Sequence, residues 1–220
     1  MIIAIDGPAA SGKSTTAKLI AEKLNFIYID TGAMYRAVAL YALKNNLDIS
    51  NHKNLIKIIN SITIRFERFN NENHIFLNNI DVTSEIRLPE ITKLSSNIAT
   101  KKIIRDKMVE IQRLLAINQK IIMDGRDIGT VVFPNANYKF FLTASIETRA
   151  LRRLNEQLTK GIVSNLEDIK NDLIWRDKND SEREFSPLKK AEDAIEVDTS
   201  NMTIEEQVKY ILKVLQGDIA

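Results

Sequence analysis

The stretch Ile2-Ile3-Ala4-Ile5-Asp6-Gly7-Pro8-Ala9-Ala10-Ser11-Gly12-Lys13-Ser14 decides the fold. Ile2 to Ile5 is a short apolar run closed by Asp6 and Gly7, which reads as a buried strand. Ala17, Ile20, Ala21 and Leu24 then recur at helical spacing, which predicts a helix over Lys13 to Leu24. Between the two, Gly7 to Ser14 fits G-x-x-x-x-G-K-[ST], whose glycines let backbone amides wrap phosphate oxygens at a helix N-terminus. A Gly-rich turn that merely caps a helix is the plainer reading, but motif, strand and helix stand in one register. The candidate contacts to a nucleoside triphosphate are therefore Gly7, Pro8, Ala9, Ala10, Ser11, Gly12, Lys13, Ser14 and Thr15. Lys13 is the group to reach the β- and γ-phosphates, and Ser14 offers a hydroxyl to a Mg²⁺ ion bridging them.

Outward from this unit the same rhythm recurs. A strand at Ile27 to Ile29 ends at Asp30, and a helical period runs from Tyr35 to Leu43. Ile104, Met108, Ile111 and Leu115 mark a long amphipathic helix, and Lys120 to Asp124 and Tyr138 to Leu142 are again short strands. Helical stretches over Ile146 to about Lys160 and Leu166 to about Arg176 precede a strand-helix pair between Ile195 and Leu215. Short apolar strands alternating with helices imply an α/β fold of three layers around a five-stranded parallel sheet. Only one stretch breaks the pattern. Ile62, Ile64 and Phe66 alternate with polar residues, and Asn70 to Asn73 supply a turn before Ile75 and Leu77, which predicts an antiparallel hairpin. Residues 60–98 thus read as a small inserted domain within a core of residues 1–59 and 99–220.

Composition narrows the function classes. A length of 220 residues suits one core with a satellite, and 44% hydrophobic with 27% charged residues leaves little room for disordered tails. A net charge of +2 speaks against a general nucleic-acid or membrane binder. The absence of cysteine excludes disulfides, thiolate zinc sites and cysteine nucleophiles. His52 and His74 lie in polar surroundings without ligand-spaced partners and read as surface residues. No run approaches 18 apolar residues and no basic leader precedes the first strand, so a soluble cytoplasmic protein is expected.

A P-loop serves GTPases, motors and small-molecule kinases alike. No Asp-x-x-Gly switch tetrapeptide occurs, and Asp177-Lys178-Asn179-Asp180 only approximates a guanine-reading motif. The chain carries instead isolated arginines suited to clamping phosphates. Arg149, Arg152 and Arg153 share a helix face by their spacing, either as a solvated basic face or as a phosphate clamp. Arg126 follows directly on a strand, where open α/β sheets bind ligands.

Asp30-Thr31-Gly32-Ala33-Met34-Tyr35-Arg36 and Asp124-Gly125-Arg126-Asp127-Ile128-Gly129-Thr130-Val131-Val132-Phe133-Pro134 resemble the signatures of bacterial cytidylate kinases, and with the P-loop the likeness runs from Ile2 to about Leu215. The resemblance implies a P-loop kinase fold with an inserted domain for the nucleoside monophosphate and a helical lid at about 153–166, hinged or tipped at Lys160-Gly161. It implies transfer of the γ-phosphoryl group of ATP to CMP or dCMP with Mg²⁺, by a monomer without nucleic-acid or membrane partners. By resemblance, Ser96, Arg105 and Asp127 match positions that read the cytosine ring, and Arg36, Arg126 and Arg183 match those gripping the acceptor phosphate. Arg176 and Asp180 match positions near the sugar, and Thr31 keeps a hydroxyl near the acceptor. Lys13, Arg126, Arg183 and, on lid closure, Arg153 are the expected catalytic groups. Asp124 is a secondary candidate for facing the metal. UMP kinase activity, a non-catalytic nucleotide-binding module and a nucleic-acid-processing ATPase are the rival readings.

Overall fold

The structure is a computed structural model and describes residues 1–69, 72–159 and 161–217. Residues cluster into two compact units, Met1–Tyr28 with Gln119–Ala220, and Ile29–Asn118. The expected insert, 60–98, lies inside the second.

The first unit carries β1 (Ile2–Asp6), α1 (Lys13–Leu24) and the start of β2 (Ile27–Asp30). After the second unit come β6 (Ile121–Gly125), β7 (Tyr138–Thr143), α6 (Ile146–Thr159), α7 (Leu166–Glu182), β8 (Ile195–Asp198) and α8 (Ile204–Gln216). The strands form one five-stranded sheet in the order β2-β6-β1-β7-β8, with β1 parallel to both β6 and β7, and β7 parallel to β8. The five-stranded α/β reading is therefore correct. The core explains the strand patterns: Ile3, Ile5, Ile122, Phe140, Leu142 and Val197 pack against Ala17 and Ile20 of α1 and Val208 and Ile211 of α8. Burial of each such large side chain contributes roughly 1.5–3 kcal/mol.

α1 spans the predicted residues and stops where Asn25 takes a left-handed conformation with φ 54°, which a following helical residue cannot share. α7 runs past its predicted end at Arg176 to Glu182. Asp177 to Glu182 contain no apolar residue, so periodicity is silent there. Ion pairs hold this last turn instead, Asp177 with Arg149 at 2.6 Å and Asp180 with Arg126 at 2.8 Å. After β6 the chain forms one wide helical turn, Ile128–Val132, in which the Phe133 N–H donates to the Ile128 carbonyl five residues back. Such wide turns often accompany functional sites.

The second unit holds α2 (Thr31–Lys44), α3 (His52–Ser61), β3 (Ile64–Phe69), β4 (Glu72–Leu77), β5 (Ile80–Asp81), α4 (Pro89–Ile98) and α5 (Lys102–Leu115). α2 begins ahead of its apolar period because the Asp30 carboxylate accepts the Ala33 N–H at 2.9 Å and caps it. β3 and β4 pair antiparallel as the alternation predicts, and β5 adds a third, two-residue strand too short to read. Asn70 and Asn71 of the predicted turn, and Lys160 of the predicted hinge, lie outside the described residues.

Gly7 shows how tightly the phosphate loop leaves the sheet. A Cβ there would stand 2.1 Å from the Leu142 carbonyl oxygen, and φ is +148°. Neither the β7 backbone nor that torsion tolerates a side chain. Gly7→Ala is therefore expected to lower the melting temperature sharply or prevent folding, as read by thermal unfolding followed by circular dichroism; an unchanged melting point would contradict this packing.

Candidate active site

In the first unit, β1 and β6 are sheet neighbours, so the loops leaving their C-terminal ends emerge side by side. One is the phosphate loop, Gly7 to Lys13, and the other carries Arg126 and Asp127. This juxtaposition at strand ends is where parallel sheets bind ligands.

Lys13 is 5% exposed and its Nζ donates to the Pro8 carbonyl at 2.8 Å. Burial, and next the Arg126 guanidinium, push its pKa down to about 7, against the pull of Asp124 and Asp180. The Ser14 hydroxyl donates to Asp124 Oδ2 at 2.6 Å, while the Tyr28 hydroxyl donates to Oδ1 at 2.8 Å. Asp124 is 2% exposed. A hydroxyl at the head of α1 and a buried carboxylate beside it fit a small divalent cation, which takes few protein oxygens when phosphates and water supply the rest. Among the described residues no cluster of three or more His, Cys, Asp or Glu could hold a metal by itself.

A charge network lies beyond. Arg126 Nε donates to Asp180 Oδ2 at 2.8 Å, and Arg183 stands 3.7 Å from both Asp180 Oδ1 and Asp127 Oδ1. Arg183 Nε also donates to the Ser186 carbonyl. Burial opposes ionisation of Asp180, but Arg126, Arg176 and Arg183 outweigh it and hold the carboxyl below its ordinary range. For Arg126, burial works against the charge, yet Asp180 and Asp124 keep its pKa above the ordinary value. Arg176 sits one helical turn before Asp180 on α7.

The loop is braced from behind. Thr16 donates to the buried Gln207 at 2.7 Å, and a Cβ on Gly12 would come within 2.8 Å of the same amide oxygen. Thr199 donates to the Ser11 carbonyl at 2.9 Å and receives Arg152 at 3.0 Å. Arg149 donates to the Ala9 and Ala144 carbonyls and to Asp177. Arg149 and Arg152 are thus internal braces rather than a solvated face, whereas Arg153 pairs with Glu156 at 2.8 Å on the same helix. Gln207 and Thr199 carry no local motif; only their polarity beside apolar strand and helix residues could have singled them out.

In the second unit, Arg36 Nη2 donates to Asp30 Oδ2 at 2.9 Å, and a Cβ on Gly32 would lie 3.2 Å from Arg36 Nη1. Asp30 therefore closes its strand, caps α2 and aims Arg36. Thr31 and Ser96 are buried, on α2 and α4. Arg105 on α5 is 2% exposed, donates to the Ala99 carbonyl at 3.1 Å and lies 5.5 Å over the Tyr35 ring.

Three comparisons bear on this geometry. The family model described as cytidylate kinase matches residues 3–217. The cytidylate kinase of Bacillus cereus (strain ATCC 10987 / NRS 248) is 49% identical over 218 residues, 99% of this chain and 97% of its own. That of Bacillus cytotoxicus (strain DSM 22905 / CIP 110041 / 391-98 / NVH 391-98) is 50% identical over 213 residues, 97% of this chain and 95% of its own. The crystal structure of an uncharacterized protein from Eubacterium ventriosum ATCC 27560 has TM-score 0.53 at 12% identity, covering 98% of each chain, a likeness of fold alone.

Lys13 also sets a pH dependence. With a folded pKa near 7 and an ordinary value of 10.5, the unfolded chain binds more protons between those two pH values. Stability of the ligand-free protein is thus penalised fully below pH 7 and recovers as pH rises through that window. Lys13→Met is expected to raise the melting temperature at pH 6 by about 2–4 °C for each kcal/mol released, and to shrink the gain toward pH 10. Calorimetric melting across that range checks it, and equal shifts at both ends would contradict the buried charge.

Proposed function

The chain belongs to the cytidylate kinase family, and from that membership we infer that it is an ATP-dependent phosphotransferase converting CMP or dCMP to CDP or dCDP. The observation that carries this reading is the pairing, at adjacent strand ends, of a phosphate loop holding a buried Lys13 with a network in which Arg126 and the buried Arg183 share Asp180. A nucleotide-binding module without transfer would need the first but not the second.

An oxygen of the acceptor phosphate attacks the γ-phosphorus of ATP, the new P–O bond forms, and the bond to the β-γ bridging oxygen breaks to leave ADP. The acceptor oxygen is already anionic, so no strong base is required, and catalysis rests on alignment and charge stabilisation. Gly7 to Thr15 bind the triphosphate, and Lys13 becomes fully charged against it. Mg²⁺, when bound with ATP, offsets phosphate charge; Ser14 and Asp124 are the groups to hold it. Arg126 and Arg183 meet the transferring phosphoryl and acceptor phosphate, joined by Arg36, while Arg153 covers the phosphates from the lid at about 153–166. Asp127, Ser96 and Arg105 read the cytosine, with the carboxylate accepting from its exocyclic amine and the other two donating to its N3 and O2 acceptors. Arg176 and Asp180 serve the sugar, and Thr31 the acceptor. Residues 60–98 serve as the inserted domain for the monophosphate. Among the described residues no helix is long and apolar enough to cross a membrane. We take the enzyme to be cytoplasmic and to act as a monomer.

A coupled ADP-release assay with ATP and Mg²⁺ across CMP, dCMP, UMP, AMP and GMP tests the reading: CMP or dCMP is expected to turn over fastest, chelation with EDTA to stop it, and UMP or AMP outpacing CMP would overturn the cytosine assignment. Arg126→Ala is expected to cost about 10³ to 10⁵ in turnover with ATP binding retained, in line with other arginines that stabilise a transferring phosphoryl. Loss of ATP affinity with turnover preserved would move Arg126 to the donor side.

A further inference from the structure

Asp6 is the last residue of β1 and directly precedes the phosphate loop, yet it contributes nothing to the roles above. It is 4% exposed, and its two carboxylate oxygens are both engaged: Oδ1 accepts the Ile128 N–H at 2.9 Å and Oδ2 accepts the Gly129 N–H at 2.7 Å. Those amides open the wide turn that follows Arg126 and Asp127. We infer that Asp6 is a positioning residue that locks the Arg126-Asp127 turn to the root of the phosphate loop, fixing the register in which donor and acceptor phosphates align. The inference deepens the kinase reading and rests on it.

Asp6 is suited to act as a fixed point. Its backbone lies within the sheet opposite Gly125 of β6 on one side and Phe141 of β7 on the other. The next residue, Gly7, is pressed against the Leu142 carbonyl, so the carboxylate cannot shift without dragging the strand. On the far side, Gly129 brings its amide close because it lacks a side chain: a Cβ would lie 3.1 Å from Lys139 Cδ and 3.4 Å from Asp6 Oδ2.

The chemistry also requires a carboxylate. Two converging N–H donors need two acceptors, and an amide supplies one, turning its own NH₂ toward the second donor. Burial works against the ionised form and pushes the Asp6 pKa up to about 7, with Asp127 adding repulsion, while the two amides and Lys13 pull it back. A buried carboxylate that opposes its own charging is a cost to the fold, and a role in holding two loops together accounts for its presence.

Asp6→Asn, which keeps the volume, and Asp6→Ser test the proposal with two readouts. Amide hydrogen exchange at Ile128 and Gly129 is expected to quicken about 10- to 100-fold, the loss of a hydrogen bond to a charged group, while Ile122 and Met123 in β6 stay protected. In the assay above, kcat per folded molecule is expected to fall about 100-fold with ATP affinity unchanged, since a misplacement of about 1 Å costs that much. Unchanged exchange at the two amides, or faster exchange throughout the unit with normal kcat per folded molecule, would overturn the positioning role. Should the wild-type protein phosphorylate no monophosphate, the kinase reading fails by itself, and exchange then decides the lock: quickening confined to Ile128 and Gly129 supports it, and any other pattern overturns it.

Discussion

A lysine kept out of water beside an arginine governs this molecule. Burial and the Arg126 guanidinium both oppose the charge on Lys13, and Asp124 and Asp180, which suffice to keep Arg126 charged, offset only part of that cost for the lysine. A lysine so placed is unfavourable until a polyanion arrives, and a triphosphate supplies what the carboxylates cannot. The protein holds this imbalance in place from behind the loop with backbone glycines, threonine hydroxyls, one glutamine amide and the guanidinium of Arg149. Stability and ligand binding are thereby set against each other at a single side chain.

The rest of the first unit reads as support for that cluster. The sheet core of Ile3, Ile5, Phe140 and Leu142 fixes the strand ends from which both loops depart. Ala9 of the loop packs against Ala150, Ile169 and Leu173, so the α6 and α7 layer rests on the phosphate loop itself. Arg149 adds a polar tie between the same parts. The second unit solves a similar problem more simply, with Asp30 capping α2 and aiming Arg36 in one move.

How much of this could be read beforehand follows from what each feature depends on. The five core strands and α1 were legible because burial imposes a local apolar period, as at Ile2 to Ile5 and Ala17 to Leu24. The phosphate loop was legible because its glycine spacing is a local requirement. The last turn of α7 was not, since its stability comes from Arg126 and Arg149, distant in sequence. β5 is too short for alternation to register, whereas Leu55, Ile58 and Ile59 give α3 a helical apolar spacing that its sequence does carry. Among site residues, Lys13, Ser14 and Arg126 announced themselves through motifs; Gln207 and Thr199 act through tertiary proximity, which a linear pattern does not encode. The partnership of Asp180 with Arg126 was likewise invisible until the fold joined them.

That partnership has a consequence for how the chain tolerates change in length. Asp177 and Asp180 stand one turn apart on α7 and engage Arg149 and Arg126. Inserting or deleting one residue within the helix ahead of them would swing both acids through about 100° at once, the angle each residue subtends at 3.6 per turn. Gains and losses of residues during descent should therefore collect before Leu166, where the helix has not yet begun, and be purged between there and Asp180.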